Sequence, residues 1–353
     1  MFIAGIGIAT PPARYSKAEC LTAFERSNWF ARLDSRAHYV ARSVLQRDNG
    51  IDYRYLAVDT LEEVFAIDPD TLHQRFMTYA PQLATQAARA AMLQAGLPPE
   101  AFGAVVVSTC TGYLCPGLTG YVVDGLGLRS DVLAFDLVGQ GCAAALPNMQ
   151  LGRTLLASGQ CTNVLSVCVE VSSAAMYLDN DPGVLVSACL FGDGAGAAVL
   201  SQQPQPHTRS VEWLSSASFI NPKQRPALMF EQRQGLLRNV LTRTVPQLAA
   251  GAAQQVFESV MKPAGLGVAD VSAWILHAGG RDVLMALERG FQLDAPDLRY
   301  SAAMLQQYGN LSSAFVYFVL QAAIADEALG GNWWLSSFGA GFSCHGALLR
   351  VDG

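Results

Sequence analysis

Three residues of this sequence carry chemistry by type and by setting: Cys142, His277 and Asn310. Cys142 follows Asp136-Leu137-Val138-Gly139-Gln140-Gly141, a strand pattern closed by a glycine turn, and precedes Ala143-Ala144-Ala145, so a helix is expected to begin at the sulfur. Backbone N–H groups and the dipole at a helix start favour the thiolate, the nucleophilic form, and the small residues that follow leave room for an acyl group. The same context also suits a packed, inert thiol, so Cys142 needs partners to act as a nucleophile. His277 closes Trp274-Ile275-Leu276 and precedes Ala278-Gly279-Gly280, which puts an imidazole at the carboxyl end of a strand beside a glycine loop. There it is able to hold a thiolate and donate to a developing oxyanion, or to serve as a hydrogen-bonded structural histidine. Asn310, in Tyr308-Gly309-Asn310-Leu311-Ser312-Ser313-Ala314, opens a second helix, where asparagine acts as an N-cap or as an amide donor.

An internal repeat supplies the elements that must position these groups. Ala95-Gly96-Leu97 leads into Val105-Val106-Val107, and Ala264-Gly265-Leu266 leads into Trp274-Ile275-Leu276, at a constant offset because 265 − 96 = 169 and 276 − 107 = 169. Each copy follows a helical pattern, over 83–94 and 248–261, with apolar residues every three or four positions. Further on, Gly141-Cys142 opens the run 143–158 and Gly309-Asn310 opens the run 311–329, with 309 − 141 = 168. Two similar α/β units with parallel-rich sheets covered by helices on both faces are expected, spanning 1–205 and 206–353. The boundary falls in the polar, proline-bearing segment 202–207. If the units pack about a pseudo-twofold axis, the two helix starts meet near His277. Such a Cys-His-Asn cluster suits decarboxylative condensation, because amide and imidazole donors stabilise the enolate formed as carbon dioxide leaves.

Composition narrows the class. The chain has 353 residues, 51% of them hydrophobic and 15% charged, enough for a sizeable core. A net charge of -6 argues against nucleic acid as a main partner. No basic leader and no apolar run of roughly 18 residues is present, so a soluble, cytoplasmic protein without integral membrane association is expected. The eight cysteines form no CxxC pair, and seven are expected to be buried thiols. Cys110 and Cys115 lack the further ligands a metal would need, so neither a metal nor another cofactor is expected.

The segments Val138-Gly139-Gln140-Gly141-Cys142, Leu276-His277-Ala278-Gly279-Gly280 and Tyr308-Gly309-Asn310-Leu311-Ser312-Ser313 resemble, in order and spacing, the catalytic signatures of type III polyketide synthases of the chalcone synthase family, bacterial type. Cys189-Leu190-Phe191-Gly192-Asp193-Gly194 is similar to the family's gatekeeper motif, and Ser337-Phe338-Gly339-Ala340-Gly341-Phe342 to its C-terminal glycine loop. The resemblance implies a duplicated thiolase-like α/β fold with αβαβα layers and a homodimer. It also implies iterative extension of an acyl-CoA starter with malonyl-CoA, without a carrier protein. By motif, Cys142 would hold the starter and growing chain, His277 and Asn310 would promote decarboxylation, and Phe191 would guard the junction of CoA tunnel and cavity. The product would be a cyclised resorcinol, phloroglucinol or pyrone.

The same resemblance implies a cavity lined by Cys110, Thr111, Ser172, Ala174, Ala175, Phe230 and Ser312, with Phe338 and Gly339 in the glycine loop and Cys115 on a loop crossing between subunits. Asn239 stands where a second gatekeeper phenylalanine is usual, and Ala340 where proline is common. Small Ser172, Ala174 and Ala175 favour a fatty acyl starter, because each accommodated methylene adds about 0.8 kcal/mol. Arg42, Arg47 and Arg54 lie where the family places basic residues against CoA phosphates, and a solvated basic face is the alternative.

Other condensing enzymes share such a cluster. A ketoacyl synthase III-like enzyme, performing one condensation with carrier-bound malonyl, usually carries His-Gln-Ala-Asn and Gly-Asn-Thr-Ser, whereas this chain has His277-Ala278-Gly279-Gly280 and Gly309-Asn310-Leu311-Ser312. Hydroxymethylglutaryl-CoA synthase needs a glutamate base upstream of its cysteine, and thiolase a second cysteine, for which Cys344 is the candidate. A non-catalytic dimeric scaffold that binds acyl-CoA is the alternative outside enzymes.

Overall fold

The computed structural model describes residues 1–206 and 208–353, so the final position of the boundary segment 202–207 lies outside the described residues. Nine strands form one ladder in the order Val271–Leu276, Gly331–Gly339, Ser343–Val351, Val211–Ile220, Phe2–Ala9, Gly194–Ser201, Asn163–Glu170, Ala104–Thr109, Leu133–Val138. The order contains the repeat. Ala104–Thr109 runs parallel to Asn163–Glu170, which is antiparallel to Gly194–Ser201, which is antiparallel to Phe2–Ala9. Val271–Leu276, Gly331–Gly339, Ser343–Val351 and Val211–Ile220 repeat that series of directions. The two series meet at Phe2 opposite Glu212. Leu133–Val138 has no strand counterpart in the second series and forms an exposed edge.

The expected parallel-rich sheet is instead mixed, with parallel pairs confined to the two ends of the ladder and antiparallel pairs through its middle. Strands buried on both faces give near-continuous apolar runs in either direction, so composition does not reveal their polarity.

Helices divide the ladder into layers. Pro69–Ala95 covers the first series, Val245–Met261 the second, and Ala145–Ala157 and Phe315–Ala325 lie between, each touching strands of both. This is the thiolase-like αβαβα architecture. Phe315, Val316, Tyr317, Phe318, Val319 and Leu320 are all buried, as an apolar helix sandwiched between sheets must be. Both repeat glycines end their helical segments in the left-handed conformation, Gly96 at φ 65° and Gly265 at φ 70°.

Close approach of the first helix to its sheet depends on glycine. A Cβ on Gly7 would lie 2.1 Å from the Ala87 carbonyl oxygen, and one on Gly5 2.3 Å from that of Ala91. Gly7→Ala is expected to destabilise the fold by about 2–3 kcal/mol, because backbone must shift to admit the methyl. A lowered urea midpoint at unchanged slope checks this, and an unchanged midpoint refutes it.

Candidate active site

The turn that presents Cys142 is a single 3-10 turn, Gly141–Ala143, and the α-helix Ala145–Ala157 starts after the sulfur rather than at it. The end of strand Gly331–Gly339 presses on this turn: Ser337 Oγ donates to the Ala143 carbonyl at 3.1 Å. A Cβ on Gly339 would stand 2.6 Å from the Ala143 nitrogen. Opposite lies the corresponding turn of the second half, Ser312–Ala314. Ser312 Oγ donates to Cys142 Sγ at 3.2 Å, and the Ser312 N–H donates to Asn310 Oδ1 at 2.8 Å. Asn310 Nδ2 donates to the Gly279 carbonyl at 3.1 Å, tying the asparagine to the loop that follows His277. Its second amide hydrogen is left for another acceptor.

His277 is buried in an aromatic notch, its ring 5.1 Å from Phe338 and 5.5 Å from Phe315 between centroids. Its backbone N–H donates to Ser336, yet neither ring nitrogen has a hydrogen-bond partner. Burying two unpaired polar atoms is costly, and active centres are where such costs are retained. Burial holds this imidazole neutral, its pKa down to about 3.

Burial also pushes the Cys142 thiol up to about 12, outweighing the Ser312 hydrogen bond, which favours the thiolate; the Glu170 carboxylate pushes it in the same direction as burial. The thiolate expected from a helix start is thus opposed by desolvation.

Sequence reasoning missed Glu170. Fully buried at the end of strand Asn163–Glu170, it accepts from the Cys110 N–H at 3.0 Å, from Thr111 Oγ1 at 3.0 Å, from Thr109 Oγ1 at 3.3 Å and from Ser313 Oγ. Ser312 Oγ also lies 3.3 Å from it. Burial raises its pKa and these donors oppose the rise. Its signal in the sequence is a lone acid ending the apolar run Val167-Cys168-Val169.

Two spaces open beside the cluster. A crevice of about 40 Å³ is lined by Phe191, Cys110, Thr111, Ser172, Ala175, Phe230, Asn239 and Ser312. A cleft of about 620 Å³ is lined by Cys110, Thr111, Ala174, Phe230, Gly139, Gly141 and Ala340 among others. Phe191 is bridged to Asn310 through the backbone, and Asn239 Nδ2 donates to Ser187 Oγ at 2.9 Å. Phe338 and Gly339 stand behind His277 and the Cys142 turn.

Other expectations need correction. Cys115 is exposed, and Cys110 and Cys142 are only partly covered, so five of the eight cysteines are buried rather than seven. Cys344 is buried between paired strands, opposite Phe338 and Phe219, and lines neither space. Arg54 does not face a CoA phosphate. Its buried guanidinium donates through Nη1 to the carbonyls of Ala188 at 2.7 Å and Phe191 at 3.0 Å, so it braces Phe191 from within. Arg42 pairs with Glu25 at 2.6 Å, and Arg47 lies exposed beside Tyr39.

Residues 13–217 match the family described as FAE1/Type III polyketide synthase-like protein, and residues 214–351 match chalcone and stilbene synthases, C-terminal domain. The chain belongs to the type III polyketide synthase family, whose members act on CoA-linked substrates, and it is an acyltransferase that works by condensation. PKS-I from the brown alga Ectocarpus siliculosus shares 25% identity, covering 99% of this chain and 98% of that one, with a TM-score of 0.90. The C-terminal type III polyketide synthase domain of Steely1, a type I/III hybrid from Dictyostelium, is similar in fold, with a TM-score of 0.86 at 22% identity over 99% of each chain. Among the described residues, no group of three or more His, Cys, Asp or Glu is arranged to hold a metal, and no helix is long and apolar enough to cross a membrane.

The buried histidines make stability depend on pH. His345, whose Nδ1 lies 2.8 Å from Ser218 Oγ and whose Nε2 has no partner, is lowered to about 4 by burial. A folded pKa below the unfolded value means that the unfolded chain binds the proton first, so stability is fully present above about pH 6.5 and is lost as pH falls towards 4. Each such histidine contributes a slope of roughly 1.4 kcal/mol per pH unit in that window. His345→Gln is expected to flatten the urea-midpoint profile between pH 6.5 and 5. An unaltered slope contradicts the assignment.

Proposed function

We propose that this protein loads an acyl-CoA starter on Cys142 and extends it iteratively with malonyl-CoA, releasing a cyclised resorcinol, phloroglucinol or pyrone. The observation that carries the reading is the unpartnered, buried His277, whose following loop accepts a hydrogen bond at Gly279 from Asn310, which is itself joined to Cys142 through Ser312. In loading, the Cys142 thiol passes its proton to His277 and the thiolate attacks the starter carbonyl. The tetrahedral intermediate collapses, the CoA sulfur leaves and takes the proton back from His277, and a thioester remains on Cys142.

In extension, the bond between the malonyl α-carbon and its carboxylate breaks and carbon dioxide departs. The electron pair enters an enolate whose oxygen is held by the neutral imidazole of His277 and the free amide hydrogen of Asn310. The enolate carbon attacks the Cys142 thioester, the Cys142 sulfur leaves, and the chain, two carbons longer, is carried on CoA until it reloads. Burial suits His277 to this step, because a neutral imidazole donates without supplying a proton that would quench the carbanion.

The small side chains of Ser172, Ala174 and Ala175 support a fatty acyl starter. For CoA, Arg42 on the exposed side of helix Ser35–Gln46 and Arg47 just past its end remain the proposed phosphate contacts. The division into halves 1–205 and 206–353 and a homodimer complete the proposal. Support for the dimer comes from the unpaired edge strand Leu133–Val138, with Val138 61% and neighbouring Tyr113 69% exposed, since an apolar strand edge invites pairing.

Incubation of the purified protein with malonyl-CoA and a panel of aliphatic and aromatic acyl-CoA starters, with products identified by mass, tests the reading. Products extended more than once are expected from wild type, and none from Cys142→Ala, which retains its oligomeric state. Wild type that leaves free malonyl-CoA unused, or condensation that persists in Cys142→Ala, would falsify it.

A further inference from the structure

Two of the buried thiols share a setting that the condensation chemistry does not use. Cys20, on helix Lys17–Arg26, and Cys189, near the end of helix Pro182–Leu190, belong to one small buried cluster with Leu45. Both line a space of about 30 Å³, and Arg54 is the one charged residue on its wall. The Arg54 guanidinium engages the Cys20 side chain and acts on Cys189 as well, while its Nη1 donates to the carbonyls of Ala188 and Phe191. A single buried cation thus connects two thiols to the segment that presents Phe191 to the 40 Å³ crevice beside the reaction centre.

We infer that Cys20 and Cys189 form a dithiol that hydrogen peroxide oxidises to a disulfide, and that the closed bond displaces Phe191 and slows condensation. The Cys20 sulfur attacks one peroxide oxygen, the O–O bond breaks, and the departing hydroxide leaves as water with the proton that Cys20 held, so that Cys20 becomes a sulfenic acid. The Cys189 sulfur then attacks the Cys20 sulfur, the S–O bond breaks, and the hydroxyl leaves with the Cys189 proton as a second water. Two thiols are oxidised to one disulfide, and one peroxide is reduced to two waters.

Charge, space and coupling favour this pair. Buried cysteines are ordinarily inert because apolar surroundings disfavour the thiolate that reacts, and a neighbouring arginine supplies the charge that draws it out. Burial keeps Cys189 as the thiol, its pKa pushed up to about 12 with Arg54 opposing, which fits it to the second step, where its proton leaves with the hydroxyl. A space of about 30 Å³ has room for roughly two waters, hence for one hydrogen peroxide, and none for an oxidant as large as a peptide disulfide. The bond requires Cα atoms within about 7 Å, so the two helices must draw together to close it. Phe191 stands two residues beyond Cys189, with its carbonyl held by the same Arg54, and a close-packed interior transmits the shift to its ring.

The test treats the reduced, folded protein with hydrogen peroxide, caps the remaining thiols with iodoacetamide and maps unreduced peptides by mass, with malonyl-CoA consumption followed in parallel. A peptide joined through Cys20 and Cys189 is expected, together with a fall in consumption of about tenfold that dithiothreitol restores. Loss from sulfinic acid at Cys142 is not restored by dithiothreitol, so the two effects separate. Cys20→Ala and Cys189→Ala should each abolish both the joined peptide and the restorable loss. Peroxide that oxidises exposed Cys115 in folded wild type without producing the joined peptide overturns the inference. If the joined peptide forms but consumption is unchanged, or the restorable loss persists in both variants, the link to Phe191 is overturned and the dithiol site stands. The joined peptide is read without turnover, so a wild type that leaves malonyl-CoA unused defeats the reading of Cys142 and not this site.

Discussion

The hydrogen bond from Ser312 to Cys142 joins positions 170 residues apart, and the geometry of the site depends on the contact it marks. Two short turns, one from each half of the duplicated sequence, are pressed together where Gly141–Ala143 meets Ser312–Ala314. The first is seated by strand Gly331–Gly339, which approaches so closely that Gly339 tolerates no side chain. The second is seated by Asn310, whose amide spans from the Ser312 N–H to the Gly279 carbonyl. Cys142 is therefore tied through Ser312 to Asn310, and Asn310 to the loop after His277, only when both turns are seated and the helices Ala145–Ala157 and Phe315–Ala325 lie packed between their sheets.

Burial then decides the chemistry. It suppresses the isolated thiolate and the isolated imidazolium alike. It also leaves His277 without any protein partner, so the imidazole is free to take a proton or to donate one. Glu170 accepts hydrogen bonds from Cys110, Thr111 and Ser313 in a fixed array around Ser312. The site is in this sense held by polar contacts on one side and by aromatic packing on the other, with the reacting groups at the boundary.

Much of this was legible in the residues. The glycine turns before Cys142, after His277 and before Asn310 mark the places where strands end and side chains emerge, and the offset of 169 related the strand of Val105 to that of Trp274. What stayed hidden has physical causes. Glu170 gains its setting from donors at 109–111 and 313, and no local pattern announces that convergence. Arg54 looked like a surface cation because a guanidinium that satisfies backbone carbonyls inside the fold has the same local sequence as one in water. The antiparallel middle of the sheet was missed because doubly buried strands carry no mark of direction.

The proposed loading step has His277 take the Cys142 proton. Its most direct test is the pH dependence of alkylation at Cys142, mapped by peptide mass in wild type and His277→Ala, with exposed Cys115 as internal control. Removal of the proton acceptor should slow alkylation of Cys142 by about a hundredfold at each pH and leave the rate at Cys115 unchanged. Superimposable Cys142 curves would contradict the account.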